Sequence, residues 1–130
     1  GLNEFCNEFD MGPVKRFYVV SNHQAQFVRA WHAHKQEVKY AFIAAGAAMF
    51  GIVKVDDWEN PDPNLDIQKV TLSERLPGVL KIPGGCAHGF MTLLPETKVF
   101  FFSTATTEQS LDDDFRYPFD YWNPWSVLPR

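Results

Sequence analysis

Three imidazoles and one ammonium stand at spacings that suit proton transfer. His32 and His34 lie two apart in Arg29-Ala30-Trp31-His32-Ala33-His34, His88 closes Pro83-Gly84-Gly85-Cys86-Ala87-His88, and Lys39 falls between the two stretches. Side chains on a strand alternate faces, so His32 and His34 aim into one space. Imidazole titrates near neutral pH and is also a metal ligand, so the trio suits either a base or a metal. A His-x-His pair alone fits two histidines half exposed on a sheet equally well. The Pro-Gly-Gly stretch and Lys39 are what point to a site.

Those side chains need strands to hold them. Short β-branched and aromatic runs are separated by Gly, Pro, Asn and Asp, with almost no helical period, which is the rhythm of an all-β sandwich or barrel. The pattern predicts strands over Val14–Val20, Gln26–His34, Lys39–Ala45, Ala47–Val55, Leu65–Leu72 and Gly78–Ile82. A hairpin of Phe90–Leu94 and Thr97–Thr104, turning through Pro95-Glu96, completes the set. Residues 56–64 read as a polar, proline-broken loop. Asp112-Asp113-Asp114 reads as a solvated charge run or a helix start. The aromatic run Tyr117 to Trp125 reads as a strap across a barrel end or a partner subunit.

Composition bounds the function classes. The 130 residues fit a single domain, 1–130, and the 12 Phe and 4 Trp supply bulk for a β interior. A net charge of -4 without a basic cluster argues against nucleic acid as a partner. No apolar run is long enough to cross a bilayer, and the opening residues lack a secretory pattern, so a cytoplasmic protein is expected. The chain opens at Gly1 without an initiator methionine, which fits a trimmed or tagged start. Cys6 and Cys86 follow neither metal nor redox spacing and are expected to be reduced. Cys86, though beside His88, reads as a small buried apolar residue rather than a nucleophile.

From Arg29 to His32 the chain resembles the Arg-Gly-x-His motif of the dTDP-4-dehydrorhamnose 3,5-epimerases, with Ala30 in place of the glycine. The similarity continues in register through Lys39, Gly46, Phe50 to Asp56 and Leu72-Ser73-Glu74. It is strongest at Ile82-Pro83-Gly84-Gly85-Cys86-Ala87-His88-Gly89-Phe90, and Trp122 to Trp125 resembles the family's late Trp-Pro; the match covers residues 27–125. Val14 to Val20 and Arg29 to Lys35, with His-Ala-His-Lys, are also similar to the nucleotide-sugar 3,4-ketoisomerases. Both groups are cupins. The resemblance implies an all-β, RmlC-like cupin jelly-roll β-barrel with a short C-terminal tail. It further implies a homodimer, and a nucleotide-linked 4-keto sugar bound inside the barrel with no metal or other cofactor.

It also implies roles. A C4 ketone acidifies the hydrogens on C3 and C5, so the reaction needs a base of near-neutral pKa and a cation or donor for the enolate oxygen. His32 matches the family's base, Lys39 and His88 would stabilise or orient O4, and Arg29 would meet the diphosphate. Parity sets a condition: Arg29 is three positions from His32, so a regular strand puts them on opposite faces and a bulge is needed. Two positions depart from the epimerase pattern. The tyrosine that returns the proton falls on Phe101, which has none to give, and the aspartate that partners the base lies in the family beyond the Trp-Pro, with no match up to Arg130.

A 3,4-ketoisomerase, moving hydrogen on one face, needs less; His34 would be its extra imidazole, and Tyr18 either a substrate-binding hydroxyl or a core tyrosine with its oxygen at the rim. A sugar-nucleotide binding module without activity is a third reading. His-x-His with a later histidine is also the skeleton of metal-binding cupins, but their glutamate slot falls on Val38 or Lys39. Glu37 is one residue short and would serve only through a bulge. For Lys39 the alternative is a solvent-facing strand lysine. For Trp31 it is a base-stacking platform, with core the favoured reading.

Overall fold

The computed structural model describes residues 8–126, so Cys6 and the opening residues lie outside the described part. Among the described residues the chain forms β1 (Arg16–Asn22), β2 (Val28–His34), β3 (Lys39–Ala45), β4 (Ala47–Lys54), β5 (Gln68–Ser73), β6 (Leu80–Ile82), β7 (Cys86–Thr92) and β8 (Thr97–Ser103). A short helix α1 (Thr107–Leu111) and a two-residue strand β9 (Phe115–Arg116) follow. All strand pairings are antiparallel. One sheet runs β1-β8-β3-β6 and the other β5-β4-β7-β2-β9. Leaving β9 aside, this is the strand order of a jelly roll, two interleaved Greek keys folded face to face. The sheets form an open sandwich rather than a closed hydrogen-bonded barrel.

Burial explains which pattern each strand carries. β1 alternates between half-buried and exposed because only one face meets the interior, and its outward Phe17 and Val19 are exposed. β4 and β7 are buried on nearly every residue, as strands covered on both faces must be. Their inner face joins Ala41, Ile43, Phe50, Ile52, Ile82, Phe90, Val99 and Phe101 in the core between the sheets. The outer face lies under a second core of Trp31, Ala33, Val53, Ala87, Met91, Trp122 and Trp125.

That second core corrects one expectation. The aromatic strap does not close a barrel end; it covers the outer face of the five-stranded sheet. Trp31 is held there, its Nε1 donating to the carbonyls of Phe119 and Trp122 at 3.1 and 3.0 Å. It is core, and the stacking-platform reading fails. The aspartate run also differs: the helix starts earlier, where Thr106 and Gln109 form a capping box, and Asp112 caps its end. β7 begins at Cys86 rather than Phe90, so His88 stands on a strand. No helix among the described residues is long and apolar enough to cross a membrane.

Candidate active site

The geometry turns on an irregularity in β2. Against β7, Arg29 pairs with Phe90 and His32 with His88, and the register shifts between them. This is the bulge that parity requires, and it turns Arg29 and His32 to the same side. Gly89 makes room for it: a Cβ there would lie 2.9 Å from the Arg29 carbonyl oxygen and collide with Ala30. The glycine after His88 therefore lets β7 lie against the bulged backbone.

A cavity of about 90 Å³ opens between the sheets, lined by Tyr18, Val20, Lys39 and Phe101 from the four-stranded sheet and by Arg29, His32, His88 and Phe90 from the five-stranded one. The His32 and His88 ring centres are 6.2 Å apart. Lys39 is buried, not solvent-facing, and its Nζ donates to the Tyr18 hydroxyl at 2.8 Å. Tyr18 therefore brings its oxygen to the cavity. Five of the six site residues expected from sequence, Tyr18, Arg29, His32, Lys39 and His88, line one space.

His34 is the exception. It is buried behind His88, with ring centres 5.9 Å apart, and its Nδ1 donates to the Asp113 carbonyl at 2.6 Å. It backs the cavity without lining it. The Asp113 carboxylate accepts from the backbone N–H groups of Lys35, Gln36 and Glu37 at 2.7, 2.8 and 3.0 Å, pinning the turn between His34 and Lys39.

Glu37 anchors the lysine. Its buried carboxylate accepts from Ser103 Oγ at 2.6 Å and Arg16 at 3.0 Å, with Lys39 Nζ at 3.8 Å. Burial pushes this carboxyl up, but the Ser103 hydrogen bond and the charges of Lys39 and His34 outweigh it and hold it below its ordinary value. An ammonium in a dry interior needs such a counter-charge. Glu37 also stands 3.6 Å from His34 Nδ1, and among the described residues no cluster of His, Cys, Asp and Glu is arranged to hold a metal ion.

Burial, then the charges of Arg116, Lys39 and Arg29, push His32 down from 6.5 to about 4, with Asp114 partly opposing them. His88 is pushed well below its ordinary value, chiefly by burial. Both rings are therefore neutral at pH 7, with a lone pair available to accept a proton or a hydrogen bond. Burial pushes the Cys86 thiol up, which keeps it protonated and fits the non-nucleophilic reading.

Sequence reasoning missed several residues. Arg116 pairs with His32 through β9, and Asp114 contributes the opposing charge; nothing in a two-residue strand advertises this. Asp113 looked like one member of a solvated run. Glu37 stands two positions before Lys39, and spacing presents it only as a displaced metal ligand.

The family model for dTDP-4-dehydrorhamnose 3,5-epimerase matches residues 4–118. A Haloferax volcanii protein named probable low-salt glycan biosynthesis epimerase is 27% identical over 116 residues, covering 88% of this chain and 72% of its own. Among solved structures, a dTDP-4-dehydrorhamnose 3,5-epimerase from Bacillus anthracis, with TDP and pyrophosphate bound, superposes with a TM-score of 0.74. It is 24% identical and covers 89% of this chain and 67% of its own. A sugar 3,4-ketoisomerase from Thermoanaerobacterium thermosaccharolyticum in complex with TDP gives 0.63 at 15% identity, covering 83% and 70%. At these identities the two structures speak for a shared fold.

Proposed function

Because the chain belongs to the dTDP-4-dehydrorhamnose 3,5-epimerase family, we propose that it is a nucleotide-sugar epimerase. Its substrate would be a dTDP-4-keto-6-deoxyhexose, from which it removes a proton next to the C4 ketone. The observation that carries this reading is the convergence of His32, His88, Lys39 and Arg29 on one cavity between the sheets.

The roles follow from charge and position. Neutral His32 takes the proton from the carbon beside the ketone. The electron pair moves onto O4, where the Lys39 ammonium offsets the developing charge, and His88 orients that oxygen from the same wall as His32. His34, tied to Asp113, holds its place behind His88. Arg29 meets the diphosphate with its fork of donors, and Tyr18 contacts the sugar. Anionic phosphates beside Arg29 and Arg116 would relieve the cationic pressure on His32 and raise its basicity when substrate is bound. The protein would work as a one-domain subunit of a homodimer in the cytoplasm.

A second reading, 3,4-ketoisomerase, draws on His32 and His88 standing on adjacent strands of one wall, so that hydrogen could leave and return on one face. Incubation with dTDP-4-keto-6-deoxyglucose in deuterated water separates the possibilities. An epimerase incorporates deuterium at C3, C5 or both with inversion, a ketoisomerase yields a 3-keto sugar, and a binding module leaves the sugar unchanged while its melting temperature rises with dTDP.

A further inference from the structure

Inversion needs a second proton-handling group on the face of the sugar opposite His32, and Phe101, which occupies the family's tyrosine position, offers none. We propose that Tyr18 is that group: its hydroxyl, on the strand next to Phe101, returns the proton. The proposal rests on the epimerase activity proposed above and assigns the missing half of it.

Register supports the substitution. Tyr18 on β1 is the direct cross-strand partner of Phe101 on β8, and their rings stack with centres 5.2 Å apart and planes 20° from parallel. Both side chains line the cavity. The hydroxyl has in effect moved one strand sideways while staying on the same wall. That wall belongs to the four-stranded sheet, whereas His32 belongs to the five-stranded one. A sugar ring between the sheets would then turn one face to His32 and the other to Tyr18.

The hydrogen bonding favours donation. Lys39 Nζ has only protons to give, so the 2.8 Å contact makes the Tyr18 oxygen the acceptor and leaves its own O–H free for another partner. Lys39 is held in turn beside the Glu37 carboxylate at 3.8 Å. As the phenol gives up its proton, the ammonium already bonded to it stabilises the phenolate.

The step balances. The C–H bond breaks toward the His32 ring, giving imidazolium and enolate. The O–H bond of Tyr18 then breaks, and its proton forms a new C–H bond on the opposite face as the ketone re-forms. Imidazolium later loses a proton to water and phenolate regains one, with no oxidant or reductant involved.

The test uses the full chain, dTDP-4-keto-6-deoxyglucose and deuterated water, with the sugar configuration read by NMR. Tyr18→Phe keeps the ring and its stacking. It is expected to keep dTDP binding and deuterium exchange through His32 but to lose formation of inverted sugar by about 100-fold or more. The double variant Tyr18→Phe/Phe101→Tyr, with the hydroxyl moved to the neighbouring strand, is expected to regain inversion. Inverted product from Tyr18→Phe at the rate of the unsubstituted protein would overturn the proposal while leaving the epimerase reading intact. Loss of dTDP binding in Tyr18→Phe would also overturn it, by making Tyr18 a binding group. Absence of any exchange in the unsubstituted protein would defeat the epimerase reading itself, and this proposal with it.

Discussion

His32 should titrate far below an ordinary histidine, and that has measurable consequences for stability. Burial and the charges of Arg116, Lys39 and Arg29 bring its pKa from 6.5 to about 4. Between those values the unfolded chain binds a proton that the folded chain refuses, so stability falls as pH drops through this window and rises as pH climbs back. The full shift corresponds to about 3.4 kcal/mol. The ring is only half-buried, and solvent screening reduces this to roughly 1–2 kcal/mol. Urea unfolding at pH 7 and pH 4.5 should show the loss. His32→Asn should show a smaller one, with the remainder shared by His88, which shifts in the same direction, and by Glu37, whose depressed carboxyl begins to lose stability near pH 4.5. An NMR titration placing the His32 imidazole near 6.5 in the free protein would refute the reasoning, as would identical pH slopes in the two proteins. Adding dTDP should move the midpoint upward, because the diphosphate answers the nearby cations.

Replacing Lys39 by Met should slow deuterium exchange by about 100-fold or more, the usual cost of removing an oxyanion donor, while calorimetry finds dTDP affinity little changed. Arg29→Ala should weaken dTDP binding by about tenfold or more, since a charge-assisted contact contributes on the order of 1.5–3 kcal/mol; an unchanged affinity would remove Arg29 from the phosphate site. Trp122→Ala should destabilise the fold by about 3–5 kcal/mol in urea, because this strap side chain packs in the second core against the outer face of the five-stranded sheet. A change below about 1 kcal/mol would mean that the outer face of the five-stranded sheet does not depend on it.

Some of this architecture was legible in the chain because period-2 signals are strong where one face is buried. Lys39–Ala45 forms a strand with the expected bounds, and His32 and His34 do share a face. Parity arithmetic even required a bulge between Arg29 and His32. The helix went unseen because its five residues bury nothing and leave no amphipathic period. The strap's destination was hidden because an aromatic run declares burial without naming the surface that supplies it. The Glu37–Ser103 and Glu37–Asp113 contacts join chain segments 66 and 76 residues apart, which spacing alone cannot bring together. Phe101 was recognised as a departure from sequence, but its cross-strand pairing with Tyr18 required coordinates.

The central claim is that His32 removes a proton from carbon inside the cavity. Its most direct test compares the unsubstituted protein with His32→Asn in deuterated water, using dTDP-4-keto-6-deoxyglucose and following deuterium at C3 and C5 by NMR. The account predicts incorporation in the former and none in the variant, with dTDP still bound by both. Undiminished incorporation by His32→Asn would contradict it.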